Sequence, residues 1–231
     1  QRGMLERDEQ MALLVMRVTG ELQGSAFYPH LAGVGFSYNP FVWGPEIDPQ
    51  AGVLRLVYGL GTRAVDRVDD DYTRVVALNA PLRRPEGSLD EIVRHTQRRV
   101  DYVDLEGGHL AAGDFADLVA RAEGVPIDLF TTETDGGGRF LTFDGLLTRT
   151  DFVADFRKLL GTLERVYGKP VDVEFAVNFL PDGRNYSINL LQCRPLQVQG
   201  THHPDVPAVE CPADGVLLAG RGAVVGHSRV E

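Results

Sequence analysis

The sequence predicts an α+β fold in which an antiparallel sheet carries packed helices. Strand-like runs come first, then helical segments, then strands again, without the regular alternation that builds a parallel sheet. Residues 150–170, TDFVADFRKLLGTLERVYGKP, have the clearest helical periodicity in the chain. Residues 172–194, DVEFAVNFLPDGRNYSINLLQCR, are two strand-like runs around Pro-Asp-Gly, the signature of a hairpin.

Taken in order, MALLVMRV (11–18) is a short apolar run read as a buried strand, closed by Thr19-Gly20 and followed by a Gly-Ser turn. AGVGFSYNP (32–40) alternates small and apolar residues until Asn39-Pro40 breaks it. GVLRLVYGLG (52–61) is a further strand, whose Gly59-x-Gly61 exit leads into a short helix at TRAVDRV. RVVALNAP (74–81) is a fourth strand. Ser88 with Glu91 has capping-box spacing for a helix that precedes another extended stretch. GDFADLVARAEG (113–124) has helical spacing and ends on Gly124, and TTETDGGGRFLTFDGLL (131–147) reads as two extended runs around a glycine-rich turn. In the helix at 150–170, Phe152, Val153, Phe156, Leu159, Leu160, Leu163 and Val166 form one stripe. Thr150 is its predicted N-cap, and Gly168 with Pro170 stops it.

Composition narrows the function classes. A 231-residue chain with 43% apolar and 24% charged residues has the make-up of a soluble globular protein. A net charge of -10 argues against binding nucleic-acid backbones. No run approaches the roughly 18 apolar residues of a membrane span, and no signal peptide is visible. Cys193 and Cys211 form neither a metal cluster nor a disulfide framework, so a cytoplasmic location is expected. The charged start QRGMLERDEQ runs straight into MALLVMRV, which implies either a short opening helix or a piece of something longer.

Chemistry concentrates in the hairpin. Val171, Val173, Phe175, Val177 and Phe179 share one strand face, which should pack on the preceding helix. Asp172, Glu174, Ala176 and Asn178 share the other, and Gln192 and Arg194 share a face of the return strand. A turn centred on Gly183 places Glu174 opposite Gln192 and Asp172 opposite Arg194. A carboxylate and an amide oxygen suit Mg²⁺, and a neighbouring guanidinium suits a phosphoryl group. A solvated face with an Asp172–Arg194 ion pair accounts for the same spacing equally well.

The motifs DVEFA and LLQCRP, together with LAGVGFSYNP and VLRLVYGLGTRAVDRV, resemble the ATP-binding domain of the phosphoenolpyruvate synthase and pyruvate phosphate dikinase family. The likeness covers most of residues 10–198. It implies an ATP-grasp fold clamping Mg-ATP between two lobes. By the resemblance, Glu174 and Gln192 serve the metal, Arg194 contacts the transferred phosphoryl group, and Gly59 and Gly61 face the nucleotide. Leu14, Val15 and Met16 would line the adenine. The acceptor would be a histidine on a separate domain, which then phosphorylates pyruvate or a similar acceptor. Residues 1–199 would be the C-terminal portion of the ATP-grasp domain, and 200–231 a linker and the start of a following segment. Nothing matches the lysine- and arginine-bearing N-terminal lobe or the phosphohistidine loop, and Thr62 stands where synthases often carry glutamate. The implied chain therefore lacks a partner lobe and is not expected to turn over alone. A non-catalytic, regulatory nucleotide-binding module of the same fold is the alternative.

Other candidates have plainer readings. Asp135-Gly-Gly-Gly-Arg139 is read as a hairpin turn, Asp69-Asp70-Asp71 as a solvated loop, and His202-His203 as linker residues without a ligand set. His30, His95 and His109 are read as ordinary surface or satisfied histidines, His227 as out of context for an acceptor, and Cys193 as a packed residue on the opposite hairpin face.

Overall fold

A computed structural model describes residues 13–65, 71–122, 124–134, 137–180 and 182–196. In chain order its strands are β1 (Glu21–Gln23), β2 (Ala26–Tyr28), β3 (Leu31–Phe36), β4 (Val53–Val57), β5 (Arg74–Ala77), β6 (Arg99–Asp104), β7 (His109–Asp114), β8 (Thr131–Glu133), β9 (Arg139–Leu141), β10 (Val171–Phe179) and β11 (Tyr186–Pro195). The helices are α1 (Thr62–Val65), α2 (Leu89–Arg94), α3 (Phe115–Val119), α4 (Asp144–Arg149) and α5 (Phe152–Tyr167). The strands form a five-stranded sheet in the order β11-β10-β3-β4-β5, a four-stranded sheet β1-β2-β6-β7, and the pair β8-β9. All described pairings are antiparallel, as the α+β expectation requires. Among the described residues, no helix is long and apolar enough to cross a membrane.

Strand parity gives the five-stranded sheet two different faces. On one, Val171, Val173, Phe175, Val177 and Phe179 are buried and join α5. The Phe156 ring lies 4.3 Å from Phe175 and 4.7 Å from Phe152, both tilted contacts. Aromatic rings extend this core between the sheets: Tyr58 sits 5.3 Å from Phe115 and 5.6 Å from Phe130, which is 5.6 Å from Phe179. The other face carries small side chains, Ala32, Val34, Val57 and Ala176, with Ala64 of α1 packed on them.

Several expectations need correction. Residues 13–18 of MALLVMRV are exposed and belong to no strand, with Leu14 79% and Val15 92% exposed. An apolar run becomes a strand only where a neighbouring edge supplies its ladder bonds, and no described edge does so here. Met11 and Ala12 lie outside the described residues. The extended run expected to continue to 147 instead turns at Phe143 (φ 61°), where the N–H groups of Thr142 and Phe143 both donate to the Phe130 carbonyl. Asp144 then opens α4. Thr150 closes α4 by donating to the Leu146 carbonyl (2.7 Å), and Asp151 takes the cap position of α5. Helix α3 stops at Val119, and Val166 is 77% exposed, off the stripe of α5. Ser88 caps α2 as expected, and Gly168 (φ 69°) ends α5.

His30 is buried, with one ring nitrogen bonded and the other, Nε2, without a hydrogen-bond partner. Its Nδ1 accepts from the Phe179 N–H at 2.9 Å, so the ring proton sits on Nε2, 3.7 Å from the Glu21 carboxylate. Burial pushes its pKa down to about 4 from an ordinary 6.5. The unfolded chain therefore binds more protons between these values. Stability is full above about pH 6.5 and falls as pH drops towards 4, by about 3 kcal/mol in all. Urea unfolding at neutral pH and at about pH 4.5 should show a fall that shrinks in His30→Gln. An unchanged fall in the variant would remove His30 as its source.

Candidate functional site

The site face of the hairpin is built by register. Glu174 pairs directly with Gln192 and Asp172 with Arg194. The pairing does not arise from a turn centred on Gly183. Phe179 pairs with Tyr186 across the loop between them, where the Asp182 carboxylate accepts from the N–H groups of Arg184 and Asn185 at 2.9 Å each. The register then shifts between Glu174 and Phe175, which pairs with Leu190 and leaves Leu191 as an extra residue. Without that bulge Glu174 would face Leu191 and Asp172 would face Cys193, and both polar partners would lie on the core face. Cys193 instead pairs with Val173 and packs against the core, as its parity predicts.

Asp172 is buried, and its Oδ2 accepts from Arg194 Nε at 2.8 Å. The Arg194 side chain is 57% exposed, so the pair holds one edge of the guanidinium and leaves the fork in solvent. The Asp172 hydrogen bond and charge, with a smaller contribution from Glu174, raise the Arg194 pKa above its ordinary value and keep it cationic. Asp172 Oδ1 is buried without a hydrogen-bond partner. The ion pair of the plain reading and the polar patch of the functional one thus coexist.

One residue of this face escaped the sequence reading. Glu174 pairs with Val34, and Val34 with Arg55, so Arg55 lies on the Glu174–Gln192 row across the sheet. A lone charge inside VLRLV, sharing parity with Val53 and Val57, was the available signal.

The glycine turn after β4 approaches from above. Gly59 has φ 89°, and a Cβ there would meet Val100 Cγ1 at 2.4 Å and the Asp101 carbonyl at 2.9 Å. Its glycine is therefore required by packing against β6. Gly61 is different, because an added Cβ would make only an ordinary 3.5 Å contact with Ala32. Thr62 opens α1 and donates to Asp101 Oδ2 at 2.7 Å, while Arg63 Nε donates to Asp101 Oδ1 at 2.8 Å. Arg63 also reaches Asp71 at 3.4 Å. Asp71 was expected in a solvated loop but is buried, because its carboxylate accepts from the N–H groups of Arg98 (2.8 Å) and Arg99 (2.9 Å). Asp69 and Asp70 lie outside the described residues.

A cavity of about 370 Å³ joins these parts, lined among others by Val18, Leu60, Gly61, Thr62, Glu174 and Leu191. It brings Gly61 and Glu174 together, with Gln192 beside Glu174. Leu14, Val15 and Met16 stand in the exposed segment ahead of Val18 and do not line it. The donor set fits a hard cation held by few protein atoms: a carboxylate and an amide oxygen at paired positions, leaving the remaining coordination to phosphates and water. Among the described residues, no three histidine, cysteine or acidic side chains cluster into a closed metal cage.

The remaining candidates stay outside this site. Gly137 and Gly138 form the β8–β9 turn, with Gly138 N–H donating to Thr134 Oγ1 at 3.1 Å. His95 stacks edge-on against Tyr72, and His109 is exposed on β7. His202, His203, Cys211 and His227 lie outside the described residues. The family model described as pyruvate phosphate dikinase, AMP/ATP-binding domain, matches residues 1–210. None of the curated proteins compared with the chain matches it.

Proposed function

Because the chain belongs to the pyruvate phosphate dikinase AMP/ATP-binding domain family, we propose that the Glu174–Gln192–Arg194 face binds Mg-ATP for phosphoryl transfer. The observation that carries this reading is the bulged register, which sets three phosphate- and metal-compatible groups on one face beside an apolar cavity. The cavity would take the nucleotide, with Val18 and Leu191 against its apolar part. Glu174 and Gln192 would hold Mg²⁺, which supplies charge neutralisation at the phosphates when bound. Arg194, held by Asp172, would turn its exposed fork to the migrating phosphoryl group. The fold would be one part of an ATP-grasp unit. The second lobe and the acceptor histidine would be supplied by other domains, and pyruvate or a similar small molecule would follow. The chain alone is then expected to bind without turnover.

Calorimetric titration with ATP, with and without Mg²⁺, tests the reading. Glu174→Gln should weaken Mg-ATP binding by about 10–100-fold, the loss of a charged contact, and leave Mg-free binding little changed. Gly61→Ala sharpens the test, since the fold leaves room for a Cβ there. Its unfolding free energy should change by no more than about 1 kcal/mol while nucleotide affinity falls, because the cavity wall moves inward. No magnesium-dependent heat in the unsubstituted chain would sink the proposal. One observation favours a non-catalytic nucleotide module instead: the Thr62 hydroxyl is engaged by Asp101 and presents no carboxylate at the glycine exit. Mg-dependent binding indifferent to Arg194→Ala would support that second reading.

A further inference from the structure

A small cavity of about 40 Å³ is walled by residues 73–75, 84–86 and 95–97 together with Leu141 and Phe143. Two polar atoms of these lining residues lack partners. Arg74 is 8% exposed and donates from its terminal nitrogens to the carbonyls of Val75 (2.6 Å) and Pro81 (2.9 Å), while its Nε is buried without a hydrogen-bond partner. Glu86 Oε2 is likewise buried and unpartnered. Neighbouring polar groups are engaged within the fold. The Gln97 amide bonds the Tyr58 N–H and carbonyl and the Arg99 carbonyl. The Thr96 hydroxyl donates to the Leu141 carbonyl, and Arg84 donates to the Thr142 carbonyl and to Asp144.

A buried donor or acceptor left unmatched carries its full desolvation cost, so the two atoms call for a bridging group. A guanidinium N–H only donates and an ionised carboxylate only accepts, so the bridge must accept at one end and donate at the other. Charge decides its class. Arg84 is paired with Asp144 at 2.8 Å, which leaves Arg74 and Glu86 as one cation and one anion in the wall. His95, the remaining titratable lining group, is edge-on to Tyr72. An added anion would have no countercharge of its own, whereas a neutral molecule keeps the balance. Size decides the rest, since a buried water needs only about 10–15 Å³ and this cavity admits up to about three. We propose that the cavity is a buried water site, with water bridging Arg74 Nε–H to Glu86 Oε2. The bridge ties the segment after β5 back to that strand, beside the Arg84 contacts that reach the β9–α4 turn. It does not depend on the reading of Glu174, Gln192 and Arg194.

The test uses the whole chain, in crystals and in solution. Electron density should show a solvent peak within hydrogen-bond distance of both Arg74 Nε and Glu86 Oε2. Crystals soaked in bromide should show no anomalous peak in the cavity. In solution, oxygen-17 relaxation dispersion counts long-lived buried waters. The count should fall by at least one in Glu86→Leu, which keeps most of the bulk and removes the acceptor, and should hold in Glu86→Gln, which retains an acceptor oxygen. The density of the unsubstituted chain decides the matter even where a variant fails to fold. A direct Arg74–Glu86 contact without a bridging peak, bromide at the site, or an unchanged water count in folded Glu86→Leu would each overturn the proposal.

Discussion

Asp71→Ala is expected to lower the unfolding free energy by about 3–5 kcal/mol, the cost of breaking a buried pair by removing one partner. The Asp71 side chain is 1% exposed and faces Arg63, itself 9% exposed. Its carboxylate also satisfies the N–H groups of Arg98 and Arg99 at the start of β6. Alanine would leave these two part-buried donors without their acceptor and leave Arg63 only part of its anionic surroundings. Asp71→Asn keeps the size and an acceptor oxygen but loses the charge, so its cost should fall between the two. Chemical denaturation of the three proteins checks the order. A loss below about 1 kcal/mol for the alanine variant would show that the pair is not a structural anchor. Because Arg63 ties α1 to Asp101, the damage should reach the glycine turn, and nucleotide affinity should weaken in protein that is still folded.

Phe156→Ala should cost a similar amount, about 3–5 kcal/mol, by a different mechanism. Phe156 is fully buried between Phe152 and Phe175, and no polar contact compensates for its removal. Phe175 flanks the register shift that follows Glu174, so the cavity would open beside the bulge that orients the site. Phe156→Leu refills most of the volume and should cost clearly less. Thermal unfolding ranks the two, and equal losses would mean that the site collapses around either side chain. An increase in flexibility of β11 should appear as faster amide exchange at Gln192 and Arg194 in the alanine variant.

The division of the hairpin into an apolar and a polar face was legible because strand parity is local. Each residue's face depends only on its neighbours in the chain, and Val171 to Phe179 alternate as written. The long helix was legible for the same reason, apart from its first cap and Val166. Segments whose state depends on distant partners were not. MALLVMRV has strand composition but no neighbouring edge among the described residues, and Asp71 looks like loop charge until Arg98 and Arg99 are brought to it. Arg55 shared a strand with apolar residues, but its alignment with Glu174 exists only once β3 lies between them.

By itself, the sequence determined the α+β class, a helix within 150–170, the hairpin after it, and the identity of the polar groups that face away from the core. These follow from periodicities of 3.6 and 2, which act over a few residues. Only the tertiary structure decided that Leu191 bulges and Gly59 is held by packing against β6. It also set Asp71 as an anchor and opened a cavity against Glu174. Each of these depends on contacts between segments far apart in the chain, where burial and backbone pairing outweigh local preference.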